Sequence, residues 1–554
     1  MDARTDVRPD KRARGYNDLQ EHLKALEAAG LLWIIDQPID KDSELQPLVR
    51  WQFRGGIVEK DRTAFLFTDV RDAKGRKFDM PVVVGALAGN EAIYSIGMGV
   101  PVDRIGQKWT DAVAKPIGPR VITSAAPCQE IVIEGADLLG DGNGLDAIPI
   151  PVSTPGFDSA PTLTATNVIT KDPTTGVQNM GTYRCALKAP DRLVVRMATR
   201  IGGAGGYLHW QDYKKLGQMM PVAIVLGCPP IVAFMGPQKL PLGMDEMEVA
   251  GGLAGEPINM VAAKTVPLMV PAEAEIVIEG MIDPTYVEPE GPFGESHGHV
   301  ALEEYNMPMR ITAITRKKNP VVVSYISQAT PSESSVIKRI AYEPLYLSHL
   351  RNTLGCRGVV KVSMHEPLTS LLKVMTLVMA KGTPRTEIWR ALQGSIAFKG
   401  DTGKIVIAVN EDIDPTNADA LLWAMAYRQN PSEDVMIVPH RGLGHGPWRE
   451  GTAEDSAMLI DATMKADMPP LALPTKPYME KAKLLWEKFG LPNLRPESPW
   501  HGYSLGDWHP SWEQAAQRAA QGDWQINGKL TQQRTRQNIT PETSVRDVED
   551  GWDE

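Results

Sequence analysis

Two carboxylates five residues apart, Glu290 and Glu295, bracket Gly291-Pro292-Phe293-Gly294 in the stretch VEPEGPFGESHGHV (287–300). Proline lacks an N–H and glycine disfavours helix, so the stretch reads as a turn. A solvated hairpin accounts for the glycines and the proline. It does not account for the apolar Phe293 at the centre, or for His297 and His299 just beyond. Paired acids at fixed separation can divide proton work, because a nearby cation keeps one ionised while burial keeps the other protonated.

Three further segments carry polar groups among small or apolar neighbours. NMGTYRCAL (179–187) holds Asn179 and Arg184, GGAGGYLHW (202–210) ends at His209-Trp210, and AGGLAGEPINM (250–260) contains Glu256. Each alone has an ordinary structural explanation: a core histidine, a helix-capping glutamate, an arginine in an ion pair. Taken together, Asn, His and Glu supply mixed O/N ligands for a cation such as Mg2+ or Mn2+. An arginine can hold a carboxylate through two parallel hydrogen bonds. A metal, a carboxylate clamp and an acid describe a decarboxylase or a hydrolase, and spacing alone goes no further. IGGAGG (201–206) is not read as a dinucleotide fingerprint, since the helix that motif requires does not clearly follow. No G-x-x-x-x-G-K-[ST] phosphate loop occurs.

The chain that must position these groups has 554 residues, enough for two to four domains. Hydrophobic residues make up 43%, which supports a sizeable core, and a net charge of −10 argues against a general nucleic-acid binder. The four cysteines, Cys128, Cys185, Cys228 and Cys356, form no C-x-x-C pair and read as reduced core thiols of a cytoplasmic protein. The charged start MDARTDVRPDKRARGY lacks an apolar leader core, and no 18-residue apolar run occurs, so neither secretion nor membrane spanning is expected. Residues 1–15 read as an arm. Asn17 or Asp18 caps a helix with Leu19, Leu23 and Leu26 on one face, stopped at Gly30 and followed by a strand at Leu31–Ile35. MPVVVGALAG (80–89) reads as a buried strand entering a glycine turn.

The middle third reads as β-rich: Glu130–Glu134, Leu163–Ile169, Leu193–Met197, Val222–Leu226, Ile231–Phe234, Glu275–Glu279 and Met309–Thr315. The hexapeptide EIVIEG occurs at 130–135 and again at 275–280, by chance or as equivalent strands of a barrel. From about 319 an α/β pattern returns. It opens with the strand PVVVSYIS, then helices at Glu333–Leu350 (kinked or broken by Pro344) and Leu368–Met379, and a strand at Lys404–Val409. Beyond about 490 the chain is polar and rich in tryptophan, as an arm lying on its own core or on another subunit would be.

The run EGPFGE (290–295) resembles the signature of the UbiD family of prenylated-flavin (de)carboxylases. NMGTYR (179–184) and VNEDIDPTNADALLWAMAYR (409–428) are similar to two further family landmarks, and all three fall in family order across about residues 15–490. The resemblance implies a multidomain α/β fold: an N-terminal α/β domain (1–119), a central split β-barrel that binds prenylated FMN (120–318), and a C-terminal α/β oligomerisation domain (319–490), followed here by a polar extension (491–554). It implies reversible, non-oxidative decarboxylation of an aromatic or α,β-unsaturated acid through a covalent prenylated-FMN adduct. An aryl-CoA such as phthaloyl-CoA is among the candidate substrates. Arg184 would orient the substrate carboxylate, Glu290 would hold Arg184, and Glu295 would return a proton to the vacated carbon. Asn179, His209 and Glu256 would ligate Mn2+ or Mg2+ at the flavin phosphate, with K+ close by. Met180, Gly181, Thr182, Tyr183 and Arg184, with Leu208 and His209, would line the cofactor, and Lys404 would reach its phosphate. A flavin prenyltransferase would supply the cofactor, and the chain would form a homo-oligomer, dimer or hexamer. Many relatives read GEFTGY where this chain reads GESHGH, so His297 and His299 mark a departure at the substrate end. Two alternatives stand beside this reading: a flavin-independent, metal-dependent hydrolase using Asn179, His209 and Glu256, and a non-catalytic partner subunit.

Overall fold

A computed structural model describes residues 14–535, apart from 124, 200–202, 239, 241–243, 366–372, 401–402, 445, 447–450 and 467, together with 540–542 and 544. The expected N-terminal arm lies mostly outside the described residues; from Arg14 onward the chain packs down. Tyr16 donates to Glu273 at 2.9 Å and accepts from the Asn259 amide at 2.9 Å. Asp18 caps the helix Leu19–Ala28 in a capping box with Glu21, and Leu19, Leu23 and Leu26 enter the core as expected.

The residues form two compact units, 1–408 with 430–461, and 409–429 with 462–554. The first unit is mixed α/β. Its N-terminal sheet runs in the order Leu32–Ile35, Ala64–Phe67, Val82–Val84, Val322–Ser324. The strand expected to open the third domain therefore completes the first sheet, with Val323 opposite Val83 in parallel register. Local pattern could identify the strand but not its neighbour.

The central sheet has ten strands. Its long spine is Glu304–Arg316, which pairs with Ile276–Ile282 on one side and with Ile131–Glu134 on the other. The two EIVIEG copies flank this strand in the same register: Ile133 and Ile278 both lie opposite Ile314, and Glu134 and Glu279 both lie opposite Ala313. The repeat thus marks equivalent strands. The main pairing path runs from Gln178–Gly181 to Thr162–Leu163, and these end strands are not joined, so the described sheet does not close into a barrel.

Several expectations are corrected. Ile231–Phe234 is not a strand: Pro230 starts a short helical turn, Pro230–Ala233, using a fixed φ that suits the first helical position. A helix does follow the glycine-rich run, at Gly205–Leu216, because Tyr207, Leu208 and Trp210 supply the side chains that the glycines lack. The helix Glu333–Ser348 runs through Pro344 without ending. Gly106 leaves room for the pyrrolidine ring, since a Cβ there would collide with it. The segment Val374–Met379 is a strand paired with Val359–Ser363; a short, wholly apolar run cannot be assigned by period alone. The rest of that expected helix, 368–372, lies outside the described residues.

A five-stranded sheet, in the order Val359–Ser363, Val374–Met379, Ile405–Asn410, Asp455–Asp461, Val435–Arg441, follows. Within the second unit, Asn417 caps the helix Ala418–Tyr427 and Arg428 forms a buried ion pair with Asp412, donating from Nη1 at 2.8 Å. The later helices Lys476–Lys488, Pro510–Ala520 and Trp524–Gln532 bury no residue. All four cysteines are buried and unpaired. Among the described residues, no helix is long and apolar enough to cross a membrane.

Candidate active site

The short strand Glu288–Glu290 pairs antiparallel with the start of the long spine, Glu290 opposite Glu304. This places Glu290 at the end of a ladder, with its side chain wholly buried. The chain then turns. Gly291 takes φ +100, a conformation open to glycine, and Gly294 lies so close to Thr154 that a Cβ would strike its hydroxyl. Phe293 and Gly294 pair back with Ala301 and Val300. Glu295 follows, 9% exposed.

Arg184 sits immediately before the strand Cys185–Ala189 and meets both acids. Its Nε and Nη2 each donate to one oxygen of Glu290 at 2.8 Å, a bidentate pair. Its Nη1 donates to Glu295 Oε1. The guanidinium lies over the Phe293 ring, 4.6 Å from the centroid. Burial alone would push the Arg184 pKa down; the Glu290 hydrogen bonds and the charges of both acids outweigh it and hold the pKa above its ordinary value. The expected Glu-Arg-Glu set is therefore brought together, and the central Phe293 acts as the platform under the cation.

The second expected cluster is brought together in part. Asn179 lies on Gln178–Gly181 directly opposite Thr170, and His209 Nδ1 is 2.9 Å from the Thr170 hydroxyl. The helix carrying His209 starts at Gly205, where a Cβ would strike the Asn179 side chain. Burial lowers the His209 pKa, with Asp172 and Asp212 opposing it, which favours the neutral imidazole that binds metals. Burial pushes the Tyr183 hydroxyl pKa up, and the neighbouring Asn179 side chain opposes that larger effect. The structure does not bring Glu256 to this pair. Its carboxylate packs against Gly15, and no hydrogen bond or ion pair joins it to Asn179 or His209 among the described residues.

Glu246, not singled out in the sequence, is there instead. It opens the helix Glu246–Ala254, is 7% exposed, and accepts from the Met180 amide at 3.1 Å. Burial pushes its pKa up to about 7, against the pull of that amide. Its sequence setting, MDEMEVAGG, reads as an acid in the first turn of a helix, a common capping feature that hides it. Glu246 carries the signal of a buried carboxylate short of a positive partner. Among the described residues, no group of three or more His, Cys, Asp or Glu converges as a metal site; the set here includes an amide.

The remaining expected cofactor residues scatter in role. Met180 is core, the Thr182 amide donates to Gly236 O at 3.1 Å, and Tyr183 Oη accepts from the Gly206 amide at 3.2 Å. A Cβ on Gly181 would strike the Tyr183 ring, and Leu208 is 36% exposed on its helix. Lys404 lies on the five-stranded sheet, exposed and paired with Asp455 at 2.8 Å. A second guanidinium that the sequence reading missed reaches the Arg184 cluster: Arg196 Nη1 is 4.0 Å from Glu295 and its Nη2 is 3.4 Å from Glu304. The pairing of Cys185 with Val195 puts the two arginines side by side. His297 and His299 lie in the loop after Glu295, rings 6.2 Å apart, with the His299 amide donating to His297 Nδ1 at 3.2 Å.

Residues 120–329 match the model of the 3-octaprenyl-4-hydroxybenzoate carboxy-lyase Rift-related domain, and residues 335–462 match that of the C-terminal domain of the same enzymes. An uncharacterised protein from Synechocystis sp. is 28% identical over 511 residues, covering 86% of this chain and 97% of its own. The UbiD-class enzyme HmfF from Pelotomaculum thermopropionicum, solved with FMN, is 28% identical, covers 84% of this chain and 100% of its own, and superposes with a TM-score of 0.73. An evolved dimeric form of that enzyme, solved with prFMN, is 28% identical with a TM-score of 0.70, covering 82% of this chain and 97% of its own.

Proposed function

The chain belongs to the UbiD family of carboxy-lyases, and on that premise we propose that it is a flavin-dependent, non-oxidative decarboxylase of an aromatic or α,β-unsaturated acid. The observation that carries the reading is the buried Arg184 held between Glu290 and Glu295. A guanidinium has five N–H groups. Three are taken by the two acids, so one remains on each terminal nitrogen. That free edge suits a substrate carboxylate, which it would orient through two parallel bonds. Glu290 fixes the guanidinium plane and balances its charge. Glu295, on the same cation, would take up a proton from solvent once CO2 has formed and pass it to the carbon that CO2 leaves. The Phe293 ring holds the guanidinium from one face and keeps water from it.

Prenylated FMN, when bound, supplies the electron sink for that carbon. Asn179, His209 and Glu246 fit a divalent cation: an amide, a neutral imidazole and a buried carboxylate suit Mg2+ or Mn2+. Glu246, buried with no positive partner among the described residues and bonded to the Met180 amide next to Asn179, supports this set over one containing Glu256. The solved dimeric relative supports a homo-oligomer. The test is cofactor supply. Protein co-produced with a flavin prenyltransferase should release CO2 from members of a panel of aromatic and unsaturated acids. Protein made without one should be inactive or carry plain FMN by mass spectrometry. Full activity with no flavin, or with FMN alone, would overturn the proposal.

A further inference from the structure

The two acids are held by different means. Glu290 ends a strand ladder with Glu304–Asn306 and is wholly buried, so the sheet itself fixes it. Glu295 lies beyond the turn, after a two-residue pairing of Phe293–Gly294 with Val300–Ala301. Its own amide donates to His299 O and its carbonyl accepts from the Gly298 amide, both at 3.0 Å, so its backbone is held within its own short hairpin. A separate segment, Thr154–Ser159, grips this turn from outside. Asp158 Oδ1 accepts from the Gly294 amide at 2.8 Å, and its Oδ2 accepts from the Thr154 amide at 2.7 Å. Ser159 donates its hydroxyl to Gly291 O at 2.7 Å and its amide to Pro292 O at 3.2 Å. Three bonds from two adjacent residues thus reach Gly291, Pro292 and Gly294, the backbone between the two acids. The Phe157 and Asp158 amides each return to Thr154 O at 3.0 Å, so the gripping segment is itself a closed turn.

We propose that Asp158, with Ser159, is a positioning residue for the proton donor: its carboxylate ties the Gly294 amide to a rigid neighbouring turn and so fixes where Glu295 meets Arg184. The inference rests on the functional reading above and deepens it. Glu295 is the residue next after Gly294, so loss of the tie moves the acid before it moves the clamp. Glu290 keeps its ladder and its bidentate hold on Arg184. The substrate carboxylate is therefore bound as before, while proton delivery suffers. Misplacement of a reacting group by about 1 Å can cost roughly 100-fold in rate.

Asp158→Asn tests this, because the amide retains one acceptor oxygen and turns the other into a donor facing an N–H. Two readouts are needed. The first is amide hydrogen exchange of the purified chain, which needs no turnover. Gly294 should exchange at least ~10-fold faster in Asp158→Asn, the factor for a hydrogen bond of about 1.4 kcal/mol, while Glu288–Glu290 keep wild-type rates. The second is steady-state kinetics of the flavin-loaded enzyme on an acid from the panel that wild type turns over. There kcat should fall by roughly 10–100-fold with KM within a few-fold of wild type. Ser159→Ala keeps the backbone bond to Pro292 and should show the same kcat pattern in weaker form, about 5-fold; it serves if Asp158→Asn fails to fold. Wild-type exchange at Gly294, unchanged kcat, or a rise in KM matching the fall in kcat would overturn the inference. If loaded wild type releases no CO2 from any acid, the functional reading fails instead, and the exchange measurement still decides whether the tether exists.

Discussion

Replacing Glu290 by Gln probes the buried clamp at its support. The Glu290 side chain is 0% exposed and that of Arg184 is 8% exposed, joined by two bonds of 2.8 Å. Removing one partner of such a pair costs about 3–5 kcal/mol, because the other charge stays buried without it. Glutamine keeps one carbonyl acceptor and turns the second into an NH2 facing the arginine, so the lower end, about 3 kcal/mol, applies. Glu295 still accepts from Nη1, which keeps the loss from growing further. On the order of 2 °C per kcal/mol for a large cooperative unit, the thermal midpoint should fall by about 6 °C. Calorimetry of the apo chain measures it directly. Removing all three charges, as Arg184→Met with Glu290→Leu and Glu295→Leu, should recover most of the loss, since an apolar set of similar volume is often neutral, whereas taking away Arg184 and Glu290 alone would strand Glu295. A Glu290→Gln midpoint within about 1 °C of wild type, or a triple variant as unstable as the single one, would refute the claim that this cluster is closed and desolvated. In the loaded enzyme the same variant should raise KM, because a clamp that can rotate holds the carboxylate less well.

Other consequences follow from the same geometry. His22 is buried on the Leu19–Ala28 helix with Nε2 2.7 Å from Ala86 O, and burial lowers its pKa from 6.5 to about 4. The unfolded chain therefore takes up this proton first, so stability should fall by up to about 3 kcal/mol as pH drops from 6.5 to 4, and His22→Gln should flatten that slope in denaturant titrations. Glu246→Gln should lower bound metal and flavin together, whereas Glu256→Gln should leave both in place; elemental analysis and the flavin absorbance of the purified variants separate the two, and the opposite pattern would restore Glu256. Lys404→Ala should leave flavin occupancy unchanged, because its charge is spent on Asp455 at the surface.

How much of this the sequence carried depends on whether the signal was local. The turn between Glu290 and Glu295 is written in its own glycines and proline, and EIVIEG announced two strands that share one neighbour in one register. Arg184, 106 residues from Glu290, could be joined to it only by resemblance, since no local pattern records a contact that distant. Glu256 drew attention because it stood out among small residues. Glu246 did not, because an acid beside a helix start looks like a cap. Arg196 was missed for a similar reason: only the hairpin register of Cys185–Ala189 with Arg192–Val195 brings it beside Arg184. The strand Val374–Met379 was read as a helix because both its faces are buried, which erases the alternation that separates the two.

The central claim is that Glu295 returns a proton to the carbon from which CO2 departs, on a clamp built by Arg184 and Glu290. The most direct measurement is deuterium incorporation in D2O, with wild type and Glu295→Gln loaded with flavin to equal occupancy and given the same acid. Wild type should place one deuterium at the vacated carbon of each product molecule. Glu295→Gln should bind the acid but lose turnover by roughly 100–10,000-fold, as general-acid residues do. Deuterium incorporation by Glu295→Gln at the wild-type rate would contradict the account and pass the role to another donor, with His297 the next to test.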